Sequence, residues 1–221
     1  MAFTPEMERR LGVAGYRYHC FISYPRVRSK DLVKCARRVK EAIEGELSLT
    51  VNEPAVFLDE SIQGGTDWEL KLRQALCQSL TMVAICAPIY YHPAHKWCGL
   101  EWAAMEHLNE QRLPGNELRT IIPIIFRRPR ENAPPPKVVM KPQHIDISDD
   151  SLVPGFYSTG KFNKHIREIV SHIEKVVDAL VGNDHNMVRT DCGAFLFPQM
   201  SAFDDCPEVE QPPPFHASSN E

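Results

Sequence analysis

The chain alternates between two hydrophobic periods. Tyr18–Tyr24 (YHCFISY) is a short apolar run rich in aromatic and β-branched residues and closed by Pro25, the pattern of a strand. Ser29 is placed to cap a helix in which Leu32, Cys35, Ala36, Val39, Ala42 and Ile43 recur at helical spacing, with Gly45 as its stop. Ala55–Asp59 (AVFLD) is a second strand. Thr66-Asp67-Trp68-Glu69 has the form of a capping box, in which hydroxyl and carboxylate satisfy each other's backbone N–H groups. The helix it opens carries Trp68, Leu72, Ala75, Leu76 and Ser79 on one face. Leu80–Ala87 (LTMVAICA) is almost continuously apolar, as in a strand covered on both faces.

A third helix is expected from Trp97 to Arg112, and Thr120–Phe126 (TIIPIIF) is a further strand in which Pro123 demands a bulge or an edge. Residues 127–142 hold five prolines and three arginines, which predicts an exposed irregular connection. His144–Ile147 is a candidate edge strand. In Lys161–Leu180 the stripe Ile166, Ile169, Val170, Ile173, Val176, Val177 and Leu180 marks a long amphipathic helix, stopped by Gly182-Asn183. Alternating strands and helices imply an α/β domain with a parallel sheet. We expect one domain over residues 16–181, after a leader of residues 1–15 and before an extension over 182–221. In that extension Phe195, Leu196, Phe197 and Phe203 are too apolar for a free tail, so they should pack back on the domain or on a partner. Residues beyond about Pro207 are expected to be disordered.

Composition narrows the class. With 221 residues, 43% hydrophobic and 24% charged, the chain can bury a full core. A net charge of −4 argues against a nucleic-acid-coating surface. No apolar run reaches the roughly 20 residues of a membrane helix. The N-terminus carries Glu6 and Glu8 and no apolar signal core. A cytoplasmic protein is the expectation, without membrane or nucleic-acid partners. Seven cysteines, an odd number without a CxxC pair, are expected to be reduced and mostly buried.

Nucleotide and nucleophile signatures are missing from the sequence. It has no GxGxxG, no GxxxxGK[ST] and no GxSxG, so Ser23 has no nucleophile-elbow context. His92, His95 and Cys98 have a spacing that could present metal ligands, but no second cluster supports them, and a polar loop before a helix is the preferred interpretation. What stands out is convergence. In a doubly wound sheet the carboxyl ends of the strands build the site. Those loops would gather Tyr24, Trp68, Tyr90 and Trp97, the arginines Arg26 and Arg28, and one carboxylate, Glu101. Trp97 and Glu101 are four apart and share a helix face with Met105 and Leu108. Glu101 is either a pocket carboxylate or a helix acid stabilised by the macrodipole.

The order and spacing of YHCFISY, VFLDESIQGGTDWELKLRQALCQS, VAICAPIYY and WCGLEW resemble those of a Toll/interleukin-1 receptor (TIR) domain, in a form closer to the bacterial proteins than to animal receptors. The resemblance implies a flavodoxin-like fold with a five-stranded parallel sheet of order 2-1-3-4-5. It also implies one of two functions. Some TIR domains are scaffolds acting by self-association. Many bacterial, plant and axonal members cleave NAD+ between nicotinamide and ribose, yielding ADP-ribose or a cyclic or modified form of it. By that resemblance Glu101 is the catalytic carboxylate, and Tyr24, Arg26, Gly65, Trp68 and Trp97 bind NAD+, which is a substrate and not a resident cofactor. Pro25, between Tyr24 and Arg26, departs from the family's pattern. The residue types suit the reaction. The leaving nicotinamide is already cationic, and its departure leaves an oxocarbenium-like ribose that a carboxylate can stabilise. An indole can lie on the pyridinium through cation–π attraction, and arginine forks suit pyrophosphate. No metal is implied. A TIR–TIR homo-oligomer or an activating partner protein is, with a role in prokaryotic antiviral defence.

Overall fold

A computed structural model of the chain describes residues 4–61, 67–128, 136–140, 142–182 and 191–203. Helix α1 (Pro5–Val13) is capped by the Thr4 hydroxyl. Then come β1 (Tyr18–Ser23), α2 (Lys30–Leu47), β2 (Val56–Leu58), α3 (Trp68–Cys77), β3 (Ser79–Cys86) and α4 (Lys96–Arg112). The chain continues through β4 (Ile121–Ile125), α5 (Lys137–Met140), β5 (Ile145–Asp146) and α6 (Gly160–Gly182). All strands pair in parallel, in the order β2-β1-β3-β4-β5. This is the flavodoxin-like topology expected.

Strand parity divides the core in two. Cys20 and Ile22 of β1, with Val83 and Ile85 of β3, face α1, α2 and α6. Phe21, with Met82, Ala84 and Cys86, faces α3 and α4. All eight residues of β3 are buried, which explains its unbroken apolar run. The segment expected to be a leader supplies α1, whose Leu11 is buried in the first cluster, and Gly15 at φ 95° turns the chain toward β1.

Several boundaries differ from the sequence expectation, each for a physical reason. Helix α2 does not stop at Gly45 but runs on to Leu47, whose side chain is fully buried. Burying one leucine outweighs the roughly 1 kcal/mol that a helical glycine costs. Helix α3 is capped by the Asp67 carboxylate, which accepts from Leu70 N, while Thr66 lies outside the described residues. Ser79 opens β3 rather than extending α3. Pro123 sits in the interior of β4 without a bulge, paired in register with Ala84. Thr120 O accepts from Met82 N and Ile125 O from Ile147 N, so alternation points Pro123 away from β3 and toward β5. Strand β5 begins only at Ile145, opposite Ile124, so the missing N–H of Pro123 costs no ladder bond. Within the proline-rich stretch, α5 buries Val139, so this connection is not wholly exposed.

The cysteine expectation is corrected. Cys77 and Cys192 form a disulfide across 115 residues of sequence. Cys20, Cys35, Cys86 and Cys98 are free and buried, and Cys206 lies outside the described residues. Burial pushes the Cys20, Cys35 and Cys86 thiols up to about 12, so they are inert packing groups.

Candidate functional site

Glu101 lies in the second turn of α4 and is only 7% exposed. The parity that sends Phe21 toward α3 and α4 also sends Ser23 there. Its hydroxyl donates to Glu101 Oε2 at 2.5 Å. Having donated, Ser23 Oγ accepts from the buried Tyr90 hydroxyl at 2.7 Å. Burial raises the Glu101 carboxyl from 4.5 to about 7, against the opposing pull of the Ser23 hydrogen bond and the Arg26 charge. The same burial lifts the Tyr90 hydroxyl well above its usual range.

A second carboxylate, Asp59, follows β2 directly and is 8% exposed. Its Oδ1 accepts from Trp68 Nε1 at 3.2 Å, and its Oδ2 pairs with the Arg26 guanidinium. That guanidinium also lies over the Trp68 ring, 4.8 Å from its centre. Trp97 meets Trp68 edge to face, with centroids 4.7 Å apart. Together Tyr24, Arg26, Asp59, Trp68, Trp97 and Glu101 line a cavity of about 200 Å³, with Ile22, His95 and Cys98 completing its wall.

A larger hollow of about 330 Å³, lined by Glu8, Tyr16, Arg17, His19 and Asn52, lies beyond the amino end of β1. The smaller cavity is the candidate site because it sits at the carboxyl ends of the strands, holds a carboxylate of shifted acidity and is walled by aromatics.

Five of the six residues singled out from the sequence line this one cavity: Tyr24, Arg26, Trp68, Trp97 and Glu101. Gly65 lies outside the described residues. Asp59 and Ser23 were not placed at the site from sequence, Tyr90 was placed there without a role, and Arg28 was placed there but does not line the cavity. Asp59 carries a signal, a carboxylate at the carboxyl end of a strand. Ser23 and Tyr90 act on Glu101 only through tertiary contact. Of the possible metal set, His95 and Cys98 line the cavity, and among the described residues no group of three His, Cys, Asp or Glu is placed to hold an ion.

Fold and site together define a doubly wound parallel α/β domain with an acidic, aromatic-walled pocket at the topological switch. Residues 20–156 match the family model of the TIR domain, and the chain belongs to that family. No curated protein matches the chain. Among the described residues no helix is long and apolar enough to cross a membrane.

Proposed function

We propose that this TIR domain cleaves NAD+ at the bond between nicotinamide and ribose. The observation that carries the reading is the Glu101 carboxylate, buried against Ser23 in the same cavity as Trp68 and Trp97. The pyridinium enters among the indoles, which attract its positive charge. Glu101 faces the ribose. As the glycosidic bond breaks, its electron pair leaves with neutral nicotinamide, and positive charge develops on the ribose opposite the carboxylate. At a carboxylate only 7% exposed that attraction is strong. Glu101 then takes a proton from water or from a hydroxyl of the substrate itself, giving ADP-ribose or a cyclised or modified form. Such a product suits a nucleotide signal in prokaryotic antiviral defence.

Ligand pockets usually measure about 300–1,000 Å³. The cavity of about 200 Å³ accommodates the nicotinamide end but not a whole dinucleotide. Arg26, expected to meet the pyrophosphate, is engaged by Asp59. Both facts favour an assembly or a partner that completes the site, and they also favour the second reading, a TIR scaffold that self-associates without chemistry.

Incubation of the purified chain with NAD+ separates the two. The expected outcome is free nicotinamide from wild type and a loss of roughly a hundredfold or more in Glu101→Gln, with self-association unchanged. Equal turnover in both proteins would remove the carboxylate mechanism, and absence of turnover at every concentration would leave the scaffold.

A further inference from the structure

The family match ends at residue 156, yet the described segment 191–203 returns to the pocket. Its sequence, DCGAFLFPQMSAF, has no helical or strand period, so packing must fix it. Cys192 ties it to Cys77 at the end of α3. Ala202 N donates to Gly99 O at 3.1 Å, in the first turn of α4. Gly99 is where the approach is closest: a Cβ there would collide with Ser201 Oγ and stand 3.2 Å from Phe203 Cδ2.

Two aromatics of the segment touch the site's own supports. Phe197 packs edge to face on Trp97 with centroids 5.7 Å apart. Phe203, 4% exposed, sits at 5.8 Å from Tyr90, 5.3 Å from Tyr91 and 5.7 Å from Trp102. Tyr90 in turn holds Ser23, and Ser23 holds Glu101. Leu196, next to Phe197, is 68% exposed and serves as an internal control.

We propose that segment 191–203 is a positioning element of the pocket: Phe203 fixes the Tyr90 ring whose hydroxyl anchors Ser23 on Glu101, and Phe197 buttresses Trp97. Neither phenylalanine lines the cavity, so each acts through another residue. Truncating Phe203 opens space beside Tyr90. The ring gains freedom, the Tyr90–Ser23–Glu101 chain loosens, and water reaches the carboxylate. The groups facing Glu101 are Ser23 and Tyr90 in hydrogen-bond contact with it or its partner, Tyr24, Arg26, Asp59 and His95 around the cavity, and Cys98 on its own helix. None of these is removed by the substitution, so a change in Glu101 acidity would report hydration and geometry.

The kinetic arm rests on the NAD+ reading; a second arm does not. In the full chain, Phe203→Ala, Phe203→Leu and Leu196→Ala are compared with wild type by carboxyl NMR titration of Glu101, assigned with Glu101→Gln, and by kcat, KM and the pH profile of nicotinamide release. Phe203→Ala is expected to lower the Glu101 titration midpoint by about one unit, as desolvation is relieved. It should reduce kcat by roughly ten- to a hundredfold, the cost of a misplaced catalytic group. Phe203→Leu should fall between it and wild type, and Leu196→Ala should match wild type. Unchanged titration and kcat in Phe203→Ala, whatever its melting temperature, would reduce the segment to ordinary packing and overturn the proposal. So would an increased kcat, which would make the segment a restraint. Should Phe203→Ala not fold, Phe203→Leu decides, intermediate values supporting and wild-type values overturning. If wild type releases no nicotinamide, the NAD+ reading fails and the titration alone decides between a moved and an unmoved Glu101.

Discussion

At the scale of single residues, burial sets the acidity of Glu101. Its carboxyl is raised from 4.5 to about 7, so the folded protein holds a proton there that the unfolded chain has already released. An acid whose folded value is raised loses stability as pH climbs from about 4.5 to about 7, and the deficit stays above that. At one unit per 1.36 kcal/mol the ionised carboxylate costs about 3 kcal/mol. Glu101→Gln keeps the shape and lacks the charge. Its melting temperature is therefore expected to exceed that of wild type at about pH 8 and to approach it at about pH 5. The same difference at both pH values would show that charge burial is not the cause. In wild type, kcat/KM for NAD+ should fall below about pH 7 as the base takes up a proton. Its burial in the second turn of α4 sets Glu101 apart from an exposed first-turn helix acid.

At the scale of elements, α4 and segment 191–203 form one unit. Helix α4 buries Glu101, Met105 and Leu108, but it also buries Cys98, Gly99, Trp102 and Ala104. A helix apolar on more than one side has to be covered on more than one side. The sheet covers one side and the C-terminal segment another, with Phe203 against Trp102. Gly99 makes that approach possible, so Gly99→Ala should drive the segment off its seat. The expected cost is about 1–3 kcal/mol, the usual range for overpacking. Chemical denaturation checks the stability. Limited proteolysis after residue 191 checks the detachment, and wild-type resistance together with wild-type stability would show that the contact can shift without loss. The Cys77–Cys192 bond adds a covalent tether, and cross-links of this kind contribute about 2–4 kcal/mol.

At the scale of the whole molecule, the three layers place every site group at one edge. Tyr24 and Arg26 follow β1, Asp59 follows β2, and Glu101 comes on the helix after β3. β1 and β3 are adjacent interior strands, where connections on opposite faces part and leave a crevice, and β2 is the edge strand beside β1. The cavity there is small, and its arginine is paired with Asp59. If a neighbouring copy completes the site, NAD+ cleavage should rise more than linearly with protein concentration. Activity strictly proportional to concentration, measured down to nanomolar monomer, would show that one chain suffices.

The sequence by itself determined the alternation of strands and helices and most of the pocket wall, while the strand order came from the resemblance to TIR domains. Period and composition are local properties, and they marked β1, β3, α4 and α6 to within a few residues. The strand-end rule then gathered Tyr24, Arg26, Arg28, Trp68, Tyr90, Trp97 and Glu101, of which Arg28 does not line the cavity and Tyr90 reaches it only through Ser23. Tertiary structure decided what no local pattern contains. Gly45 is helical because Leu47 is buried, and Pro123 is tolerated because β5 starts late. Cys77 finds Cys192 over 115 residues, a pairing that spacing alone does not encode. The acidity of Glu101 is set by desolvation and by Ser23, 78 residues away in sequence. Chemical identity is written along the chain, but protonation, orientation and hydration depend on which distant groups share the same low-dielectric space.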